Sequence, residues 1–362
     1  MDGNRTGASS ATRTTLETAL MSVPNFYGNS GVAQTLHQMI EQKRLAQTIL
    51  LSGPEGIGKA TLARRFAAAL LGDPVKIEQD DLSLPTNLEV IDQREKWTSD
   101  KRADDPLFFS THPDFVTFVP EGPLRQITIQ QMRLMRERAQ FKPLRGNHRV
   151  FLIDHLDRAN EQSANSLLKI LEEPPEHLVI ISTAENLYDL LPTIRSRSLV
   201  LQMSRLSDAE MQDFAKAKGL PDPELRIVLA EGSPGIAASL DIDEFRNRRG
   251  LILAAFECAA GLKSFSDWVQ QSESFTNSRS EKLDSYLKLA YGLLEDILST
   301  LYGRNATKHR DIQARIGNIA GAVTFSWLER AVRHLDELVQ MVRRNIQKTA
   351  ALDAMIINLR NV

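Results

Sequence analysis

The sequence predicts an α/β fold: a P-loop domain built on a parallel sheet, then a small helical lid domain, then an all-α C-terminal domain. Three observations carry that expectation. A short apolar run, "TILL", feeds the glycine loop "GPEGIGK" at residues 53–59, which opens directly into an alanine- and leucine-rich helical pattern. Strand-length apolar runs then alternate with helix-length patterns as far as Met203, as in strands laid parallel by helical crossovers. Beyond Met203 no strand pattern recurs.

Residues 1–23 are rich in Ser, Thr and Gly, lack an apolar signal core, and read as a disordered leader. An amphipathic helix is expected over 32–43, a strand over 48–51, and after the glycine loop a helix that stops at Gly72, a residue suited to a left-handed C-cap. Residues 73–110 are polar, show no clear period, and read as an insertion with little regular structure. Next come a weak strand in "DFVTFVP", a helix in "TIQQMRLMRERAQF" and a buried strand over 150–153 closed by Asp154. The helix "NEQSANSLLKILEE" must end before Pro174 and Pro175, and is followed by the strand "LVIIST" and the segment "LLPTIRSRSLVLQM". Three short helices separated by Gly and Pro follow, and from residue 245 the pattern is helical to the end. In the last helix Leu335, Leu338, Val342, Ile346, Ala350 and Met355 recur at helical spacing. The expected domains are therefore 24–203, 204–245 and 246–362.

A chain of 362 residues suggests two or three such domains, and 42% hydrophobic with 25% charged residues is ordinary for a globular protein. The formal net charge of -2 argues against a dedicated nucleic-acid binder that neutralises many phosphates. Cys258 is the single cysteine, so no internal disulfide can form, and no run of eighteen apolar residues could span a membrane. A reducing cytoplasm is the expected setting.

The glycine loop fits the spacing G-x-x-x-x-G-K-S/T except at its last position. Backbone N–H groups of such a loop point at phosphate oxygens, the dipole of the following helix favours their charge, and the lysine adds a positive head. Gly53, Gly56, Gly58 and Lys59 are in place for ATP or ADP, but Ala60 stands where a hydroxyl would ligate magnesium. Thr61 follows one residue late, about 100° further round the helix. Asp154, ending "VFLID", reads equally as a magnesium-side carboxylate or as a strand-ending cap for the next turn. His155 follows it, where a hydrolysing enzyme of this class has a glutamate to polarise the attacking water. With Thr61 and Asp154, the four loop residues make up the candidate nucleotide site. Arg195 and Arg197, taken alone, read as a solvated helix end with a surface ion pair.

"SANSLLKILEEPP" (163–175), followed by "TIRSRS" (193–198), resembles the clamp-loader branch of the AAA+ superfamily. With "FYGN", the glycine loop, "THPDF" and the helical C-terminal region, the order is similar to the delta-prime family of bacterial DNA polymerase III clamp-loader subunits. The resemblance covers residues 24–362 and implies a collar for the C-terminal domain. It implies an arginine finger at Arg197, offered in trans to a neighbouring ATPase site, with Ser196 before it and Ser198 where the family usually has cysteine. The implied partners are ATPase motor subunits, a delta-type subunit and, through the assembly, the sliding clamp and primed DNA, with no membrane.

Two departures from the family matter. Gly235, in "GSPGIAASL", stands where hydrolysing relatives carry a lid arginine, so the loop hydroxyl, the strand-end glutamate and the lid arginine are all missing. Three losses from one site imply that turnover has been abandoned. The family's four-cysteine zinc module would fall within 73–110, which has no cysteine, and His112 reads as a turn residue before Pro113, so no zinc is expected. The alternatives are an active motor-type ATPase using Thr61 and His155 as substitutes, and a nucleotide-gated DNA-binding module.

Overall fold

The structure, a computed structural model, describes residues 26–276, 283–305, 308–342 and 348–360, so the expected leader lies outside the described residues. The chain forms two compact units: Met1–Leu220 with Ala230–Ala238, and Pro221–Leu229 with Ser239–Val362.

In the first unit six strands form one sheet in the order β2-β3-β4-β5-β1-β6. They are β1 (Thr48–Ser52), β2 (Phe108–Phe109), β3 (Phe115–Phe118), β4 (Arg149–Ile153), β5 (Leu178–Ala184) and β6 (Leu199–Gln202). Every pairing is parallel except that of β2 with β3. β5 lies between β4 and β1, with Thr48 opposite Ile180 and Ile153 opposite Ser182. Each residue of β1, β3, β4 and β5 is buried, which explains why these strands read as continuous apolar runs.

Side-chain alternation along the strands divides the core between the two faces of the sheet. Leu50, Val116, Phe151 and Ile180 share one apolar cluster with α6 (Ile129–Ala139) and α7 (Glu161–Glu172). Ile49, Leu51, Val150 and Ile181 share the other with α1 (Ser30–Glu41) and α2 (Lys59–Leu71). Helix ends follow local chemistry. Thr128 and Gln131 form a capping box on α6, the Asn160 side chain accepts the Ser163 N–H on α7, and Gly72 ends α2 at φ 83°.

The insertion differs from expectation. Residues 73–110 contain three helices, α3 (Pro74–Glu78), α4 (Pro85–Glu95) and α5 (Ser99–Asp104), besides β2. Two of them start on proline at the first turn and two are capped by Asp73 and Thr98, but α3 and α5 have only 5 and 6 residues, and α4 buries only Asn87 and Ile91, so no apolar period shows. Tertiary ion pairs supply the order. Arg64 on α2, only 2% exposed, pairs with Glu78 at 3.1 Å and Asp81 at 2.5 Å. Asp80 accepts both the N–H and the hydroxyl of Thr111, and Ile77 joins the α2 core. Arg64→Ala is expected to destabilise the first unit by roughly 2–3 kcal/mol, below the ~3–5 kcal/mol of a fully buried pair because both carboxylates can regain water. Urea unfolding with limited proteolysis of 73–110 measures this; an unchanged midpoint and cleavage pattern would contradict it.

Three short helices follow the sheet: α9 (Asp208–Lys218), α10 (Pro223–Ala230) and α11 (Pro234–Ser239), with α8 (Pro192–Arg195) preceding β6. In the second unit α12 (Ile242–Ala259), α13 (Phe265–Thr276), α14 (Leu283–Leu301), α15 (Gln313–Ala322), α16 (Phe325–Val342) and α17 (Lys348–Arg360) pack around one core. Trp268 sits in that core and donates its indole N–H to Asp353 at 2.6 Å, while Arg249 makes a two-point contact with Asp311. Leu335, Leu338 and Met355 of the expected C-terminal stripe are buried there. The side chains of Val342, Ile346 and Ala350 lie outside what is described. Among the described residues no helix is long and apolar enough to cross a membrane.

Candidate functional site

The glycine loop leaves the C-terminal end of β1 and closes into the first turn of α2, so its backbone donors gather at the positive end of that helix. Gly53, Gly56 and Gly58 all take positive φ, 152°, 74° and 94°. At Gly53 glycine is also required by space, since a Cβ there would lie 2.3 Å from the Met203 carbonyl oxygen. Lys59 is buried and donates from Nζ to the carbonyls of Gly53 and Pro54, both at 2.7 Å. Burial holds its ammonium below the ordinary lysine pKa, against the upward pull of Glu185, Asp154, Asp157 and Glu55. A cavity of about 460 Å³ lies over the loop, and Lys59, Ala60, Thr61, Asp154 and His155 all line it. Of the sequence-predicted nucleotide residues, Gly56, Gly58, Lys59, Thr61 and Asp154 line the cavity, whereas Gly53 lies behind it with its carbonyl accepting from Lys59.

β5 ends between the loop strand and the Asp154 strand, and Thr183 within it and Glu185 just past its end join the site without having been singled out in the sequence. The Thr183 hydroxyl donates to Asp154 Oδ1 at 2.5 Å and accepts the His155 N–H at 2.8 Å. Glu185 lies 3.5 Å from His155 Nδ1, and its own N–H donates to Asp157 Oδ2 at 3.0 Å. His155 itself sits in the left-handed region at φ 55°. The only sequence signal for Thr183 and Glu185 is a polar "STAE" at the end of an apolar strand. Its meaning depends on sheet order.

The donor set fits a phosphate better than a magnesium ion. Glycine N–H groups, the α2 terminus and Lys59 are all present, whereas Ala60 offers no oxygen and Asp154 Oδ1 already accepts a hydrogen bond from the Thr183 hydroxyl. Elsewhere, His112 is buried and accepts the Asp114 N–H on Nδ1 at 3.1 Å, which makes it the turn residue its sequence suggested. Among the described residues no group of three or more His, Cys, Asp or Glu is arranged to hold a metal.

The start of α11 is seated on the loop. Ser233 donates its hydroxyl to the Glu55 carbonyl at 2.9 Å, and the Gly235 N–H donates to the Gly56 carbonyl at 2.7 Å. A Cβ at position 235 would stand 2.9 Å from that same oxygen and 3.1 Å from Gly56 Cα. The missing side chain there is therefore a steric requirement of the contact. On the far wall Tyr27 meets Phe214 edge-on, with ring centroids 5.5 Å apart.

Arg197 is not among the residues lining this cavity. It follows α8 and precedes β6, which runs parallel to β1, so it lies at the N-terminal end of the strands, the end opposite the glycine loop, a strand length of roughly 16 Å away. Its guanidinium pairs with Glu172 at 2.8 Å and donates to the Thr193 carbonyl at 3.1 Å. The side chains of the pair are 35% and 50% exposed, the surface ion pair that residue type alone suggests. Beside it, Arg195 lies 5.6 Å from the ring centroid of Tyr188, itself exposed.

A family described as DNA polymerase III, delta subunit, matches residues 28–207, about half of the chain. The chain is 32% identical over 214 residues to DNA polymerase III subunit delta' of Pseudomonas aeruginosa, covering 58% of this chain and 60% of that one. It is 27% identical over 229 residues to subunit delta' of Bacillus subtilis, covering 62% and 63%. Against DNA polymerase III subunit gamma/tau of Mycobacterium tuberculosis it is 28% identical over 177 residues, covering 47% of this chain and 26% of that one. The match thus spans about a quarter of the gamma/tau protein and three fifths of the delta' proteins. Through residues 28–207, on an α/β fold with a mostly parallel sheet, the chain belongs to the DNA polymerase III delta-subunit family.

Proposed function

We propose that this chain is a cytoplasmic clamp-loader subunit that does not hydrolyse ATP itself and presents Arg197 to the nucleotide of a neighbouring ATPase subunit. The observation that carries the reading is the position of Arg197: exposed, and at the end of the strands away from its own glycine loop. An arginine so placed cannot serve its own cavity, but its fixed, planar charge suits γ-phosphate oxygens brought up by another subunit. The loss of the loop hydroxyl at Ala60 and the packing of Gly235 on Gly56 agree with an idle site. Residues 204–245 then act as a lid, with Ser233 and Gly235 on the loop, and 246–362 as the collar that joins motor and delta-type subunits. The assembly opens a sliding clamp and sets it on primed DNA while this chain serves as the fixed surface. ATP turnover of the reconstituted loader, with and without Arg197→Ala, tests the reading.

A second reading has one observation in its favour. His155 and Glu185 form a histidine and carboxylate pair at the cavity, with Thr61 on its wall, a set that could orient an attacking water. Magnesium-dependent turnover by the isolated chain, abolished by His155→Ala, is its expected signature. Background turnover by the isolated chain is what the first reading expects.

A further inference from the structure

We infer that the cavity over the glycine loop takes a nucleoside diphosphate without a divalent cation and discriminates against the triphosphate. The inference rests on the reading of residues 53–59 as a nucleotide cradle and concerns which nucleotide that cradle can keep.

A P-loop holds magnesium through oxygen ligands from the residue after its lysine and from the carboxylate that ends the neighbouring strand, and the metal in turn screens the last two phosphates. The first ligand is absent and the second is partly engaged. Position 60 is a methyl group, and the Thr61 hydroxyl is displaced by about 100° around α2. Asp154 is 7% exposed, and its Oδ1 accepts a short hydrogen bond, 2.5 Å, from Thr183. Thr183 is in turn fixed by accepting the His155 N–H at 2.8 Å.

What remains at the lysine end of the cavity is net negative. Four carboxylates, those of Glu185, Asp154, Asp157 and Glu55, act on the Lys59 ammonium, and Arg158, 3.5 Å from Glu185, offsets one of them. The carbonyls of Gly53 and Pro54 already accept two of its three protons. A third phosphate would bring one more negative charge to this end with no metal to screen it, in a partly buried setting where Coulomb repulsion is stronger than in water. The first two phosphates meet a different environment. They would rest on glycine N–H groups and on the N-terminus of the 13-residue α2, neither of which the substitutions have touched. Cavity size is no obstacle, since about 460 Å³ is within the usual range for a small-ligand site, with Phe26, Tyr27 and Phe214 on one wall.

Fluorescence titration of the full chain with N-methylanthraniloyl-ADP and N-methylanthraniloyl-ATP, in EDTA and in magnesium, tests this. ADP is expected to bind in EDTA with an affinity that magnesium changes by less than about twofold, and ATP to bind roughly tenfold more weakly or worse. Glu185→Gln should narrow the ADP-to-ATP ratio several-fold by removing one repelling charge. Ala60→Thr should strengthen ATP binding by about tenfold in magnesium only, by returning a ligand oxygen.

ATP binding that needs magnesium and equals or exceeds ADP would overturn the inference. So would no binding of either nucleotide, or a ratio untouched by Glu185→Gln. Those outcomes leave the role of Arg197 standing, because that role is measured on the turnover of the assembled loader. Magnesium-dependent hydrolysis by the isolated chain would sink both.

Discussion

Arg197→Ala in the reconstituted loader is expected to cut DNA-stimulated ATP turnover by about 10³-fold or more, with the assembly intact. A guanidinium supplied across a subunit boundary stabilises charge that spreads over γ-phosphate oxygens in the transition state, and such arginines are worth about 10³–10⁵ in rate. The fold should not notice the change. The Arg197–Glu172 pair is largely exposed, a class of contact worth about 0–1 kcal/mol once solvent screening is counted. Arg197→Lys should recover little of the loss, since an ammonium lacks the planar fork. Turnover that stays within about twofold of wild type would reduce Arg197 to the surface ion pair it forms in the isolated chain.

Gly235→Ala is expected to lower the stability of the first unit by about 1–3 kcal/mol, because the added Cβ meets the Gly56 backbone at 2.9 Å and that backbone has little room to retreat. For a unit of this size the melting temperature should fall by roughly 3–10 °C. Hydrogen exchange gives a sharper check, since the Gly235 amide loses its 2.7 Å acceptor on Gly56 and should exchange faster. Gly235→Arg therefore should not restore turnover, even though it writes back the side chain that hydrolysing relatives carry there. An arginine at 235 displaces α11 from the loop before it can reach a phosphate. Unchanged melting and unchanged protection for Gly235→Ala would show that the contact is loose.

The sheet was legible in the sequence because strands buried on both faces must read as short apolar runs, and the glycine loop because Gly53 leaves no space for a Cβ beside the Met203 carbonyl. The insertion was not legible. Two of its helices are too short to show a period and α4 buries too few apolar residues to show one, while α3 is fixed by Arg64, which lies on a different helix and reaches Glu78 and Asp81. Thr183 and Glu185 escaped notice for a topological reason: β5 comes after β4 in the chain but lies between β4 and β1 in the sheet. Only that order carries a strand-end "STAE" to Asp154 and Lys59. Arg197 is the reverse case, because its local contacts match the bland expectation from residue type, and family resemblance alone assigns it a partner outside the chain. For Gly235 the sequence marked a missing arginine, and the structure adds the reason that no side chain fits.

The most direct measurement is ATP hydrolysis by a reconstituted loader in which every other subunit has its P-loop lysine replaced by alanine and this chain is wild type. Background turnover with full assembly is expected if, as proposed, Ala60, His155 and Gly235 make the remaining glycine loop an idle site. Turnover above about a tenth of the wild-type loader would mean that this chain burns nucleotide itself, and the idle-site account would be wrong.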